Sequence, residues 1–139
     1  MNSIHKQFFE SHRVARLATV GADGIPHVTP VCFAMAEDTV YITIDQKPKR
    51  DQAKPLQRLR NIATNSTVAL VADHYEENWS ELGWVMLRGE ARVLEDGEEH
   101  DYAQGILKSR YPQYRDMHLA PLPVIAIRVV RSTAWGKLE

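Results

Sequence analysis

The stretch Trp84–Leu94 alternates between two kinds of residue. Val85, Leu87, Gly89, Ala91 and Val93 are apolar or small, and the charged residues Arg88, Glu90 and Arg92 stand between them. Because successive side chains of a β-strand point to opposite faces, this pattern predicts a long strand with one buried face and one solvated face. Such a strand must sit in a sheet whose inner face is covered.

Three shorter strands are predicted ahead of it in a meander. Val14–Val20 and His27–Met35 flank the turn Gly21–Gly24, which contains the Asp-Gly pair typical of tight hairpins. A third strand is predicted at Thr39–Asp45. Pro30 indicates a bulge or an edge position in the second strand, because proline has no N–H to donate to a ladder.

Two further strands and up to three helices complete the predicted fold. The apolar run Val68–Ala72 and the segment Leu122–Val130 are the remaining strands. Six antiparallel strands indicate a mainly β (α+β) fold and a small barrel, since closing a sheet removes most of its exposed edges. Helices are predicted at Ser3–Ser11, Pro55–Asn65 and Asp96–Tyr111.

Size and composition limit the classes of function. A chain of 139 residues is one domain, so residues 1–139 are expected to form a single unit. A net charge of −1 argues against a general nucleic-acid or membrane-surface binder. The single cysteine excludes an internal disulfide and a multi-cysteine metal site. Without a leader or a long apolar run, a cytoplasmic location is expected.

Positive charge is concentrated between the third strand and the second predicted helix. A helix start offers unpaired backbone N–H groups, and cationic side chains beside it can hold a phosphate. The cluster therefore predicts a site for a phosphorylated cofactor or nucleotide, and its alternative is a solvated helix face. Six of the seventeen basic residues belong to it: Lys47, Lys49, Arg50, Lys54, Arg58 and Arg60.

Spacing along the predicted helix separates polar from apolar residues. Lys54, Arg58 and Asn61 recur at intervals of four and three residues, which puts them on one face. Leu56 and Ile62 point elsewhere, so an apolar side can pack on the barrel while the basic side meets an anion.

Several segments resemble a known family. Arg16-Leu-Ala-Thr-Val, Asp23-Gly-Ile-Pro-His-Val-Thr-Pro-Val and Val40-Tyr-Ile-Thr resemble the pyridoxamine-phosphate-oxidase-like split β-barrels. Asp45-Gln-Lys-Pro-Lys and Val71-Ala-Asp-His-Tyr-Glu-Glu-Asn-Trp-Ser are similar to the branch that uses the deazaflavin coenzyme F-420 in place of FMN. The usual Asn-Pro before the fourth strand is Asn-Ser here. The resemblance implies a six-stranded antiparallel split β-barrel with flanking helices that forms a homodimer.

The resemblance also implies a cofactor site and an activity. The activity is hydride transfer between F-420 and a small organic substrate. The alternatives are an FMN-dependent enzyme like pyridoxamine-phosphate oxidase and a flavin-binding protein without turnover. The implied phosphate contacts are Thr43, Lys49 and Arg58, supported by Lys47 and Lys54; Thr29, Pro30 and Val31 lie along the ring edge, and Trp79, from the adjacent loop or a partner chain, covers the ring.

Other candidates are weaker. A third hypothesis is a barrel that binds single-stranded nucleic acid, with bases stacked on Tyr41, Trp79 and Trp84, and the near-zero net charge counts against it. The six histidines show no metal-ligand spacing, so no metal site is predicted. His27 is either a proton donor or, more commonly, a structural histidine. Cys32 is expected to be a small core residue.

Overall fold

The computed structural model describes residues 1–44 and 56–139. Within these ranges the strands form a single antiparallel sheet with the order β2-β1-β5-β6-β7-β4-β3. The mainly β fold with flanking helices is confirmed. The strands are β1 (Ala15–Val20), β2 (Pro26–Val31), β3 (Ala34–Ala36), β4 (Thr39–Thr43), β5 (Thr67–His74), β6 (Gly83–Leu94) and β7 (Val124–Gly136).

Three α-helices flank the sheet: α1 (Ser3–Glu10), α2 (Gln57–Thr64) and α3 (Glu98–Arg110). Short 3₁₀ turns follow β5 at Trp79–Glu81 and α3 at Pro112–Asp116. Neither described range contains a helix with the length and apolarity needed to span a bilayer.

The sheet must curl because its two edge strands are consecutive in the chain. β2 and β3 lie at opposite ends of the strand order, yet only Cys32 and Phe33 separate them. Three Cα–Cα steps span about 11 Å at most, so the two edges are held close together. The result is a barrel with one open seam between β2 and β3, and this seam is called the split below.

The predicted strand His27–Met35 is two strands, so the prediction of six strands is wrong by one. The interruption lies at Phe33, where the backbone N–H donates to the Tyr111 hydroxyl oxygen (3.0 Å) and the carbonyl accepts from the Tyr111 hydroxyl (2.8 Å). A side chain therefore takes both backbone groups that a ladder would use. The edge position indicated by Pro30 is confirmed, since β2 is a terminal strand.

The core has two parts. Inside the barrel, β6 contributes Val85 and Leu87, both fully buried, while Arg88 is exposed, so the predicted alternation is confirmed. Phe8 and Phe9 of α1 also belong to this interior cluster. A second cluster lies between the sheet and α3 and includes Leu107.

His100 fastens α3 to the segment that precedes β7. Its side chain is 1% exposed; Nε2 lies 2.8 Å from the Leu122 carbonyl oxygen, and Nδ1 lies 3.0 Å from Asp101 Oδ1. Burial works to lower the pKa of His100, but the carbonyl and the carboxylate favour the imidazolium and outweigh it. The pKa of His100 is therefore raised above its ordinary value of 6.5.

This raised pKa predicts a pH-dependent contribution to stability. A group whose pKa is higher in the folded state stabilises most below its unfolded pKa, and that stabilisation is lost as pH rises through the folded pKa. His100→Gln keeps an N–H donor but does not titrate. In urea titrations at about pH 5.5, we expect the wild type to have a larger free energy of unfolding than the variant. This difference should shrink as the pH is raised to about 8.5. A difference that stays constant or widens as the pH rises contradicts the prediction.

Candidate functional site

A cavity of about 190 Å³ opens beside the split of the barrel. It brings together residues from β2, from the crossover that follows it, from β4, from the start of α2 and from the turn after α3. Five of the nine predicted cofactor-binding residues lie in its wall. The lining residues are Val14, Thr29, Pro30, Val31, Cys32, Ile42, Thr43, Arg58 and Tyr114.

The sheet topology explains why these residues meet. Among the described strands β2 pairs only with β1, and no described strand pairs with its other edge at the split. β4 leaves the sheet at Thr43, which is paired with Val124 of β7. α2 packs against β1 and places Arg58, its second residue, at the same end of the barrel. An edge strand, a strand end and a helix start thus form one wall.

Thr43 carries a buried hydroxyl that lacks a partner. Its side chain is 3% exposed, and Oγ1 makes no hydrogen bond to any described residue. Burying a hydroxyl without a hydrogen bond costs about 1–3 kcal/mol in proteins. A ligand with a hydrogen-bonding oxygen in this cavity would remove that cost.

Arg58 gives the cavity wall its positive charge. The residue is 9% exposed and lies in the first turn of α2, where the backbone N–H groups have no partner within the helix. Leu56, at the N-cap position, supplies no side-chain hydrogen bond to them. A guanidinium at this depth is little screened by salt, and together with the helix start it favours an anion.

Asn61 lies one turn further along α2 but has a structural role. Its Nδ2 donates to Thr19 Oγ1 (3.0 Å), and its Oδ1 accepts from Gln57 Nε2 (2.7 Å). A Cβ at Gly21 would lie 2.6 Å from Asn61 Oδ1, so a larger residue there would displace the Asn61 side chain. These contacts tie α2 to β1 and so position Arg58, a role that the helix-face pattern did not indicate.

Of the other four predicted cofactor residues, the structure describes only Trp79. Lys47, Lys49 and Lys54 lie outside the described residues. Trp79 is 69% exposed in the turn after β5, where its Nε1 is 3.4 Å from the Tyr75 hydroxyl. Within a single chain it does not line the cavity.

His27 also lies outside the cavity wall. It pairs with Thr19 across the β1–β2 ladder, and its Nδ1 is buried without a hydrogen bond to any described residue. The expectation of a hydrogen-bonded structural histidine is therefore not met at that atom.

Tyr41 faces α3 and not the cavity. It is 5% exposed, and its hydroxyl donates to Glu99 Oε2 (2.8 Å), which is itself held by Arg92. Burial and the neighbouring Glu99 raise the pKa of Tyr41 to about 12. A tyrosine enclosed in this way cannot stack on bases, so the nucleic-acid hypothesis loses one of its three aromatic residues.

Four cavity residues were missed as site residues: Val14, Cys32, Ile42 and Tyr114. Tyr114 comes from a 3₁₀ turn far along the chain, and no local pattern could have placed it beside β2. Cys32, expected to be a small core residue, packs against the second core cluster and is partly exposed in the cavity wall. Among the described residues there is no group of three side chains able to hold a metal ion.

A sequence model of the pyridoxamine 5'-phosphate oxidase family matches residues 1–136. The chain belongs to this family. A pyridoxamine 5'-phosphate oxidase family member need not share that enzyme's substrate, and a curated relative acts on a different one. This relative, 35% identical over 91 residues, is a 5a,11a-dehydrotetracycline/5a,11a-dehydrooxytetracycline reductase of Streptomyces rimosus. The match covers 65% of this chain and 61% of the reductase, so the chain spans under two thirds of that relative's length.

Solved structures agree on the family fold. A conserved hypothetical protein of Mycobacterium tuberculosis superposes with a TM-score of 0.77 at 21% identity, covering 98% of this chain and 85% of that one. A FAD-binding protein of Mesorhizobium loti gives 0.68 at 21% identity over 96% and 94%. A heme storage protein of Vibrio cholerae gives 0.70 at 16% identity over 94% and 90%. At these identities the likeness shows the fold alone.

The unpartnered hydroxyl of Thr43 predicts an unusual response to mutation. Replacing a buried polar group that lacks a partner by an apolar isostere is neutral or stabilising. We expect Thr43→Val to raise the free energy of unfolding of the ligand-free protein by about 1 kcal/mol in urea titrations. Thr19→Val is the matched control, because Thr19 is equally buried but accepts from Asn61. That variant should lose about 1–3 kcal/mol; equal losses at both positions would contradict the prediction.

Proposed function

We propose that this family member is an oxidoreductase that binds a flavin-type cofactor in the cavity at the split, with F-420 preferred to FMN. The observation that carries the proposal is the convergence of Thr29, Pro30, Val31, Thr43 and Arg58 on one cavity. These residues come from three elements that are separated in sequence, β2, β4 and α2.

The phosphate end of the cofactor lies at Thr43 and Arg58 in this proposal. The hydroxyl of Thr43 donates to a phosphate oxygen, and the Arg58 guanidinium supplies charge beside the start of α2. Further contacts to the phosphate are predicted from Lys47, Lys49 and Lys54.

The ring end lies along β2. Among the described strands β2 is a terminal strand, so one set of its backbone groups faces no neighbouring strand. The N–H and C=O groups of successive strand residues point to opposite edges, and Pro30, which has no N–H to donate to β1, suits the outward set. Its carbonyl can accept a hydrogen bond from the polar edge of a flat ring, and Thr29 and Val31 line the same cavity. Val14, Ile42 and Tyr114 contribute the apolar wall that excludes water from the ring.

The bound deazaflavin or flavin supplies the hydride-transfer chemistry, and the chain supplies orientation, charge and a dry pocket. This division of labour needs no protein nucleophile. The reductase relative from Streptomyces rimosus supports redox chemistry. The alternatives are an FMN-dependent enzyme like pyridoxamine-phosphate oxidase, which family membership favours, and a flavin-binding protein without turnover.

A homodimer is part of the proposal. On the outer face of the sheet, Val28 is 63% exposed and pairs with Ala18, which in turn pairs with Ala69. This row of apolar side chains leaves a face for a second copy to cover. Trp79, exposed on its turn, is then available to cover the cofactor of the partner. A small organic substrate and a cytoplasmic location stay predictions from the sequence.

The test is titration of the purified protein with F-420 and, separately, with FMN, followed by quenching of tryptophan fluorescence. We expect micromolar binding of F-420 and binding of FMN at least about tenfold weaker, a difference of about 1.4 kcal/mol. The opposite preference supports the FMN alternative. Binding of neither cofactor contradicts the proposed function.

Arg58 provides a residue-level test of the phosphate grip. A hydrogen bond to a charged group contributes about 1.5–3 kcal/mol, so Arg58→Ala should raise the cofactor Kd roughly ten- to a hundredfold. Arg60→Ala is the matched control, since Arg60 lies on the same helix but is exposed and donates to Gln57. Circular dichroism checks that both variants fold. An unchanged Kd in folded Arg58→Ala would remove Arg58 from the site.

A further inference from the structure

The only thiol of the chain opens into the cavity. Cys32 lies in the two-residue link between β2 and β3 and is partly exposed, whereas its neighbours Val31 and Phe33 are buried. It shares the cavity wall with Thr43 and Arg58. A group attached to its sulfur therefore enters the space that those two residues line.

The position of this thiol is fixed by its backbone. Phe33 is bonded through both its N–H and its carbonyl to the Tyr111 hydroxyl, which also lies 2.8 Å from the Arg13 carbonyl. Arg110 adds hydrogen bonds to the carbonyls of Glu10 and His12. The Tyr111 hydroxyl thus holds the backbone of the link at Phe33, the residue next to Cys32.

An independent observation shows that the same cavity is built for a ligand. Thr43, 3% exposed, lines it with a hydroxyl that no described residue satisfies. A group attached to Cys32 would occupy space beside Thr43 and Arg58, where the proposed function places the phosphate end of the cofactor.

We propose that Cys32 is a thiol-modification site for low-molecular-weight disulfides and that its adduct and the phosphorylated cofactor exclude one another from the cavity. The exclusion of cofactor rests on the proposed function, whereas the adduct site rests on the cavity alone. The fraction of the protein that carries cofactor then depends on the ratio of thiols to disulfides in its surroundings.

The chemistry is a simple exchange. The Cys32 thiol gives up its proton, and its sulfur attacks one sulfur of the disulfide. A new bond forms between Cys32 and that sulfur, the original sulfur–sulfur bond breaks, and the other half leaves as a thiolate that takes up the proton. Cys32 is oxidised and half of the disulfide is reduced. An excess of free thiol reverses the step.

The experiment follows the reaction of the full chain with dithiodipyridine, an uncharged aromatic disulfide whose released thiopyridone absorbs light. The cofactor that binds in the titration, F-420 or FMN, is added at a saturating concentration. It should slow the reaction at Cys32 at least about tenfold. The adduct should in turn bind cofactor at least about tenfold more weakly, and dithiothreitol should restore binding; tenfold corresponds to about 1.4 kcal/mol. In Cys32→Ser, disulfide treatment should leave the Kd of that variant unchanged.

Two outcomes would overturn the proposal and one separates it from the proposed function. Equal reaction rates with and without bound cofactor, or equal cofactor affinity before and after modification, would overturn it while the proposed function stands. If neither cofactor binds, the proposed function fails, and the adduct site is tested at Arg58. The adduct should slow modification of Arg58 by phenylglyoxal, read by fragment mass spectrometry, but not that of the exposed Arg60. Equal rates at Arg58 would overturn the site.

Discussion

The hydroxyl of Tyr111 holds the place where the chain passes from one edge of the sheet to the other. It accepts from the Phe33 N–H and lies 2.8 Å from the carbonyls of Phe33 and Arg13, and with one proton it donates to one of them at a time. Because this side chain takes the backbone groups of Phe33, the second strand ends there and the third begins beside it. The split, the open edge of β2 and the cavity all follow from that interruption.

The cavity wall includes a buried group that lowers the stability of the ligand-free protein. Thr43 buries a hydroxyl that has no hydrogen-bond partner among the described residues, and the nearly buried Arg58 lines the same cavity. An unsatisfied buried hydroxyl is unfavourable in a protein that only has to fold. It is typical of a site in which a ligand supplies the missing hydrogen bond. Asn61 does the opposite, since its bonds to Thr19 and Gln57 stiffen the helix that carries Arg58.

Features that depend on neighbouring residues were predicted correctly from the sequence. The alternation of β6, the Asp-Gly turn and the edge position of Pro30 depend on neighbours in sequence, and all three are confirmed. The break at Phe33 could not be predicted, because its cause is a side chain 78 residues away. The same holds for Tyr114 in the cavity wall. The site residues were grouped by resemblance to a family, whereas spacing alone could not have brought Thr29 and Arg58 together.

The short link at Cys32 and Phe33 also sets how wide the barrel can open. One added residue would let the two edges separate by up to about 3.5 Å, roughly the thickness of a flat aromatic ring. The hydrogen-bonded ladders on the far side of the sheet would not have to change. Length variation at this link would therefore let a split barrel admit ligands of different thickness without changes to those ladders.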